Sequence, residues 1–159
     1  MLRHCAFAFA VISVIGCGRP VVDTITHQFN LDEEPSGAIG VIELRENAQD
    51  GESVVVVGSV GGGINPWVKG RAAFVIVDAC ASMECSGACC DEGCNCKASE
   101  LTDSIVVVKF VGQDGKVIAR DARDLLGLQL LDTVVVHGKA KRDKAGNVAM
   151  VADGLYIRR

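Results

Sequence analysis

Six cysteines crowd one short stretch, Cys80, Cys85, Cys89, Cys90, Cys94 and Cys96, and they are the residues of this chain best equipped for chemistry. Gly87, Gly93 and Asn95 supply the turns such a segment needs, and Met83 adds a further soft sulfur donor. Two chemistries fit. Disulfides suit an even set of thiols in an oxidising compartment, and bridges would stabilise the segment by restricting its unfolded state. Adjacent Cys89 and Cys90 would then bond to different partners, because a bridge between neighbours strains a trans peptide. Alternatively, thiolates clustered as Cys89-Cys90 and Cys94-x-Cys96 suit soft or borderline ions such as Cu(I) or Zn(II). The paired Cys-x2-Cys units of structural zinc sites are missing, as is the Cys-x-x-Cys of thiol–disulfide enzymes. Disulfides are therefore the first expectation, a Cu(I) or zinc site the second and redox catalysis a distant third.

Other chemistry-bearing types are sparse. His27 and His137 lie far from the cysteines in sequence, and a lone histidine on a strand is more often structural than a ligand. Gly61-Gly62-Gly63 is not followed by Gly-Lys-Ser/Thr, so it is no phosphate loop. Asp121 and Asp124 read as a helix cap and a first-turn acid rather than as a catalytic pair. No Gly-x-Ser-x-Gly or His-Glu-x-x-His motif occurs. A non-catalytic protein is expected.

The elements that must carry the cysteine segment are strands. Of 159 residues, 49% are apolar but only 4% aromatic, so valine, isoleucine, leucine and alanine must build the core. Ser53 to Val60, Ala72 to Asp78, Ile105 to Val111, Thr133 to Lys141 and Asn147 to Ile157 read as five strands. The Asp114-Gly115 turn is expected to fold the third back into Lys116 to Ala119. Between the third and fourth strands, Asp121 can cap a short helix with Ala122, Leu125 and Leu126 on one face and Gly127 as its stop. A further short helix is expected over residues 37–48, with Ser36 as its cap and Gly51 just past its end.

Five strands with a helix between the third and fourth is the order of the OB-fold, a Greek-key barrel. Val54-Val55-Val56-Val57-Gly58, Phe74-Val75-Ile76-Val77-Asp78 and Val134-Val135-Val136-His137-Gly138 resemble OB strands one, two and four. The chain is also similar to small bacterial proteins that join this barrel to a cysteine-bearing loop after strand two. The expected class is mainly β, an OB-fold-like five-stranded barrel spanning residues 37–159, with the cysteine-rich loop at 79–98.

The first residues read as an address. Met1-Leu2-Arg3-His4 is a basic start, Cys5 to Ile15 is an apolar run broken only by Ser13, and Gly16-Cys17 follows. This is the order of a secretory signal peptide, and the run is too short to span a bilayer. Val14-Ile15-Gly16-Cys17 resembles the lipobox of bacterial lipoproteins. That resemblance implies cleavage after residue 16, acylation of Cys17 and a lipid-anchored place in the cell envelope, on the periplasmic face or outer membrane. Residues 17–36 then read as lipidated N-terminus and polar tether.

The formal charge of −4 gives no long-range attraction for nucleic acid. Trp67, Lys139, Lys141 and Arg142 are the candidates for a surface binding site, with Lys144, Arg158 and Arg159 nearby in sequence. The functional expectation is a membrane-anchored envelope module meeting an unknown envelope partner. Metal handling by the cysteine loop is the alternative, and oligonucleotide or glycan binding on the face of strands two and three is the second alternative.

Overall fold

The computed structural model describes residues 28–63, 65–78 and 104–159. In chain order these form α1 (Val41–Asn47), β1 (Ser53–Val60), β2 (Ala73–Val77), β3 (Ile105–Phe110), α2 (Ala122–Leu126), β4 (Thr133–Arg142) and β5 (Val148–Arg158). The strands close a barrel in the order β1-β2-β3-β5-β4, with β3 and β5 parallel and all other neighbours antiparallel. The expected mainly β barrel is therefore present, with its helix between β3 and β4.

Alternation builds the core. Side chains successive along a strand point to opposite faces. Val56 and Val60 of β1, Phe74 and Ile76 of β2, and Val106, Val108 and Phe110 of β3 are buried inward. Val134, Val136 and Ala140 of β4, with Val148, Met150 and Leu155 of β5, complete the interior. With so few aromatics, the rings are grouped. Phe29 meets Phe110 edge-on at 4.9 Å, Phe110 stacks on Phe74 at 6.4 Å, and Trp67 tilts against Phe74 at 6.2 Å.

One β-bulge shapes the β4–β5 pair. His137 pairs with Gly154 and Gly138 with Ala152, which leaves Asp153 as the extra residue on β5. Gly138 is required there, because a Cβ would lie 2.7 Å from the Cα of Ala152 and would also collide with the Val151 carbonyl oxygen.

The N-terminal segment departs from expectation. β1 and β2 pair only through Ser59–Val77 and Val60–Ile76, so the lower part of β1 lacks a sheet neighbour on that side. Ile39 takes that place: its N–H donates to Val55 O and its carbonyl accepts from Val57 N, both at 2.9 Å. β5 runs past the end of β3, and there Leu31 N–H donates to Leu155 O at 2.7 Å beside the Asn30–Leu155 bridge. Phe29 is buried, and Glu34 pairs with Arg158 at 2.6 Å. The polar tether expected over 17–36 is thus docked on the barrel from Phe29 onward, because two incomplete strand edges offer it backbone hydrogen bonds.

The same bonds shorten the first helix. Residues 38–40 cannot turn helical while Ile39 serves β1, so α1 begins at Val41 with Gly40 as its N-cap. Ser36 is not the cap. The Asp78 carboxylate takes that role from afar, accepting Ile42 N–H at 3.2 Å. The expected strand at 116–119 is reduced to a single bridge, Val111–Val117. Ile118 instead stitches two segments, donating to Phe110 O and accepting from Ala72 N. α2 forms as expected: Asp121 caps it by accepting Arg123 N–H, and Gly127 ends it in the left-handed conformation. Among the described residues, no helix is long and apolar enough to cross a membrane.

Candidate functional site

The cysteine segment leaves the barrel at Asp78 and returns at Ser104, and these two roots are fastened together. Asp78 N–H donates to Ser104 O at 2.8 Å, which extends the β2–β3 ladder one step beyond Val77–Ile105. Both roots are buried, Asp78 at 7% and Ser104 at 1% exposure. α1 holds them from the side. Asp78 caps its first turn, and Arg45 Nη1 donates to Ile105 O at 3.0 Å. A buried carboxylate is retained where it is hydrogen-bonded, and here the helix N-terminus supplies both an N–H and a favourable dipole. The barrel thus presents the ends of the segment as a rigid pair. Cys80, Cys85, Cys89, Cys90, Cys94 and Cys96 lie outside the described residues, as does Cys17. Among the described residues, no three His, Cys, Asp or Glu side chains are grouped to hold a metal ion.

The basic and aromatic residues singled out from sequence do not form one site. Lys139 pairs with Ser53 at the start of β1, whereas Trp67 lies beyond the opposite end of β1 and bridges Phe74. The length of β1, roughly 23 Å at 3.3 Å per residue, separates them on that side. β3 and β5 intervene on the other. Arg142 is a structural residue. Its guanidinium donates to Arg45 O at 2.7 Å and Ala48 O at 3.1 Å, carbonyls at the C-terminal end of α1, and to Gly146 O at 3.0 Å in the β4–β5 turn. Lys141 lies 3.8 Å from Asp50, and both are exposed. Only Lys139 and Lys141 of this set remain as solvated strand-end cations.

A different basic surface emerges on the outer face of β2 and β3. A groove of about 420 Å³ there is lined by Arg71, Lys109 and Lys116 around an apolar floor that includes Val68, Val107 and Val117. Among the described residues, no carboxylate lines it. Trp67 stands in the same β1–β2 connection, under the Arg123 guanidinium, which sits 5.5 Å from its ring. Arg123 is in turn held by both carboxylate oxygens of Asp121, at 2.9 and 3.0 Å. Those hydrogen bonds lower the Asp121 pKa to about 2. Sequence reading placed weight on Lys139 to Arg142 because they are neighbours in the chain. Arg71, Lys109 and Lys116 are brought together only by the β2–β3 register and the hairpin after β3.

A second feature invisible in sequence is the pair His137–Asp153. The bulge turns Asp153 outward so that its Oδ1 lies 2.5 Å from His137 Nδ1. His137 also borders a groove of about 360 Å³ between α1 and β1, together with Glu43, Asn47, Glu52 and Ser53. The carboxylate fixes the orientation of the imidazole.

Taken together, the strand order, the parallel β3–β5 pair and the helix between β3 and β4 define an OB-fold-like barrel. The chain matches no family model, no curated protein and no solved structure.

Proposed function

We propose that this chain is an exported, lipid-anchored, non-catalytic module of a bacterial envelope, whose barrel serves as a rigid mount for the cysteine segment. The observation that carries the reading is the clamp at Asp78 and Ser104, with both ends of the segment fixed by a 2.8 Å backbone bond and braced by α1. The lipobox-like Val14-Ile15-Gly16-Cys17 supports the anchor, and export supports oxidised cysteines over free thiols. In this reading Cys80 to Cys96 are joined as disulfides that stiffen the surface offered to an envelope partner.

Intact mass spectrometry of protein taken from membranes, alkylated anaerobically without reduction, tests both halves. Acyl mass on Cys17 with no alkylated segment cysteines is the expected result. Six free thiols, with Cu(I) or zinc retained in a native spectrum, would replace the disulfide half by metal handling. An unmodified Cys17 would remove the anchor.

A further inference from the structure

The cationic groove on β2 and β3 sits where the chain enters the barrel. Phe29 is buried with its ring 4.9 Å from that of Phe110, and Gln28 before it is exposed. Phe110 follows Lys109 and ends β3, and Lys116 and Val117 lie in the hairpin that comes next. Whatever precedes Gln28 therefore joins the molecule at the groove end of β3. Cys17 is 11 positions before Gln28, so a fully extended chain holds it within about 35–40 Å of that point. The cations of the groove also lie toward the end of β2 and β3 far from the roots of the cysteine segment, since Ala73–Lys109 is at one end of the ladder and Val77–Ile105 at the other.

The composition of the face specifies its partner. In a chain of net charge −4, Arg71, Lys109 and Lys116 line one groove with no carboxylate among the described residues, and exposed Lys69 adjoins them. Asp114, the acid at the tip of the hairpin, is turned to its own backbone and accepts Lys116 N–H at 3.0 Å. Val68 stands 43% exposed amid these cations. A cationic rim around an exposed apolar side chain complements a surface of anionic headgroups over hydrocarbon.

We infer that this face, from Val68 to the Lys116 hairpin, lies against an anionic phospholipid bilayer and orients the barrel with the Ala73–Lys109 end of its ladder, rather than the Asp78 and Ser104 roots, toward the membrane. The inference rests on the lipid-anchor reading above. A tether alone leaves the barrel free to tumble at the surface. Basic residues beside an anionic leaflet add attraction that falls off within a Debye length, so a short tether is what makes them effective.

Trp67, the chain's one tryptophan, adjoins Val68 and reports on this face. The full-length acylated chain is reconstituted on phosphatidylcholine vesicles, with and without phosphatidylglycerol, and quenching by the neutral solute acrylamide is measured. Quenching of Trp67 is expected to fall by about two- to threefold on the anionic vesicles, and the protection is expected to vanish in high salt. It is also expected to vanish in the combined variant Arg71→Glu, Lys109→Glu, Lys116→Glu, and to weaken in Val68→Glu, a single change on an exposed loop. Equal quenching on both vesicle types overturns the inference, as does protection that survives in both variants. Salt-sensitive protection by a single-stranded oligonucleotide, with none by anionic vesicles, overturns it in favour of nucleic acid. Flotation with neutral vesicles reports on the anchor alone. A chain that fails to float there but floats with anionic vesicles has lost the anchor reading while keeping this surface.

Discussion

The Asp78 carboxylate reaches back 36 positions in sequence to accept the backbone N–H of Ile42 at 3.2 Å. One buried acid thereby caps α1 and roots the cysteine segment. The close fit has a second partner, because a Cβ on Gly40 would lie 2.7 Å from Asp78 Oδ2.

This contact makes the two positions interdependent. Asp78→Ala removes the cap and is expected to cost about 1–2 kcal/mol. Gly40→Ala keeps an allowed backbone, φ −72° and ψ 165°, but displaces the carboxylate and is expected to cost about as much. Once the carboxylate is gone the added methyl has room, so the double variant should fall short of the sum by about 1 kcal/mol. Urea denaturation of the four proteins checks this. Strict additivity would show that the two residues do not meet.

Gly138 and Gly154 are both crowded, yet their substitutions should differ sharply. An alanine at 138 meets the backbone of Val151 and Ala152 across the bulge, and a sheet backbone cannot yield without losing its register. An alanine at 154 meets the end of the Leu31 side chain at 2.9 Å, and Leu31 is 37% exposed and can change rotamer. Gly138→Ala is expected to destabilise by about 3 kcal/mol and Gly154→Ala by about 1 kcal/mol or less. Thermal denaturation distinguishes the two.

Arg142 belongs to the fold, and its replacement should show this. Arg142→Met removes three charge-assisted hydrogen bonds to Arg45 O, Ala48 O and Gly146 O, at an expected cost of about 2–3 kcal/mol. Lys139→Met and Lys141→Met concern exposed chains and should stay within about 0.5 kcal/mol of the parent. Equal, small effects at all three positions would return Arg142 to the solvated cluster suggested by its neighbours in sequence.

What sequence reveals here is what repeats locally. The apolar run Phe74-Val75-Ile76-Val77 and the Asp121…Gly127 cap and stop each act within a few residues, and the strand and α2 fall where they imply. Ile39 and Leu31 give no such signal. Their role is to pair with strand edges left open by the offset of β2 against β1 and of β3 against β5, a property of the closed barrel. Arg142 misleads for the same reason: a cation among lysines near a turn looks solvated until α1 is placed beneath it. Asp153 becomes His137's partner only through the bulge, and Arg71, Lys109 and Lys116 become a groove only through register.

Acid should weaken the molecule in a defined window. The Arg123 hydrogen bonds hold Asp121 at about 2, below its ordinary value, and Arg158 lowers Glu34 while the Asn147 side chain and N–H lower Asp143. A carboxylate depressed by folding contributes stability that is present above its unfolded pKa, about 4, and is lost as pH falls through the folded value. Tm is therefore expected to drop between about pH 4 and pH 2. Asp121→Asn should start lower at neutral pH and drop less across that interval. A parallel fall in variant and parent would assign the acid response to other carboxylates.

Phe29 fastens the strap formed by residues 29–40. Its ring is 4% exposed and set edge-on to Phe110, so Phe29→Ala removes both burial and an aromatic contact at the barrel end. A cost of about 3 kcal/mol is expected, toward the low end for a buried phenylalanine because the strap can partly detach rather than enclose a cavity. Detachment has its own signature. The Leu31 amide, bonded to Leu155 O, should exchange with solvent far faster in Phe29→Ala, since only the strap holds it there. The Ile39 amide is fixed to Val55 O, and the carbonyl of Ile39 receives Val57 N–H, so its protection should fall only with global stability. Equal loss of protection at both amides would mean that residues 29–40 do not release from their Phe29 end alone.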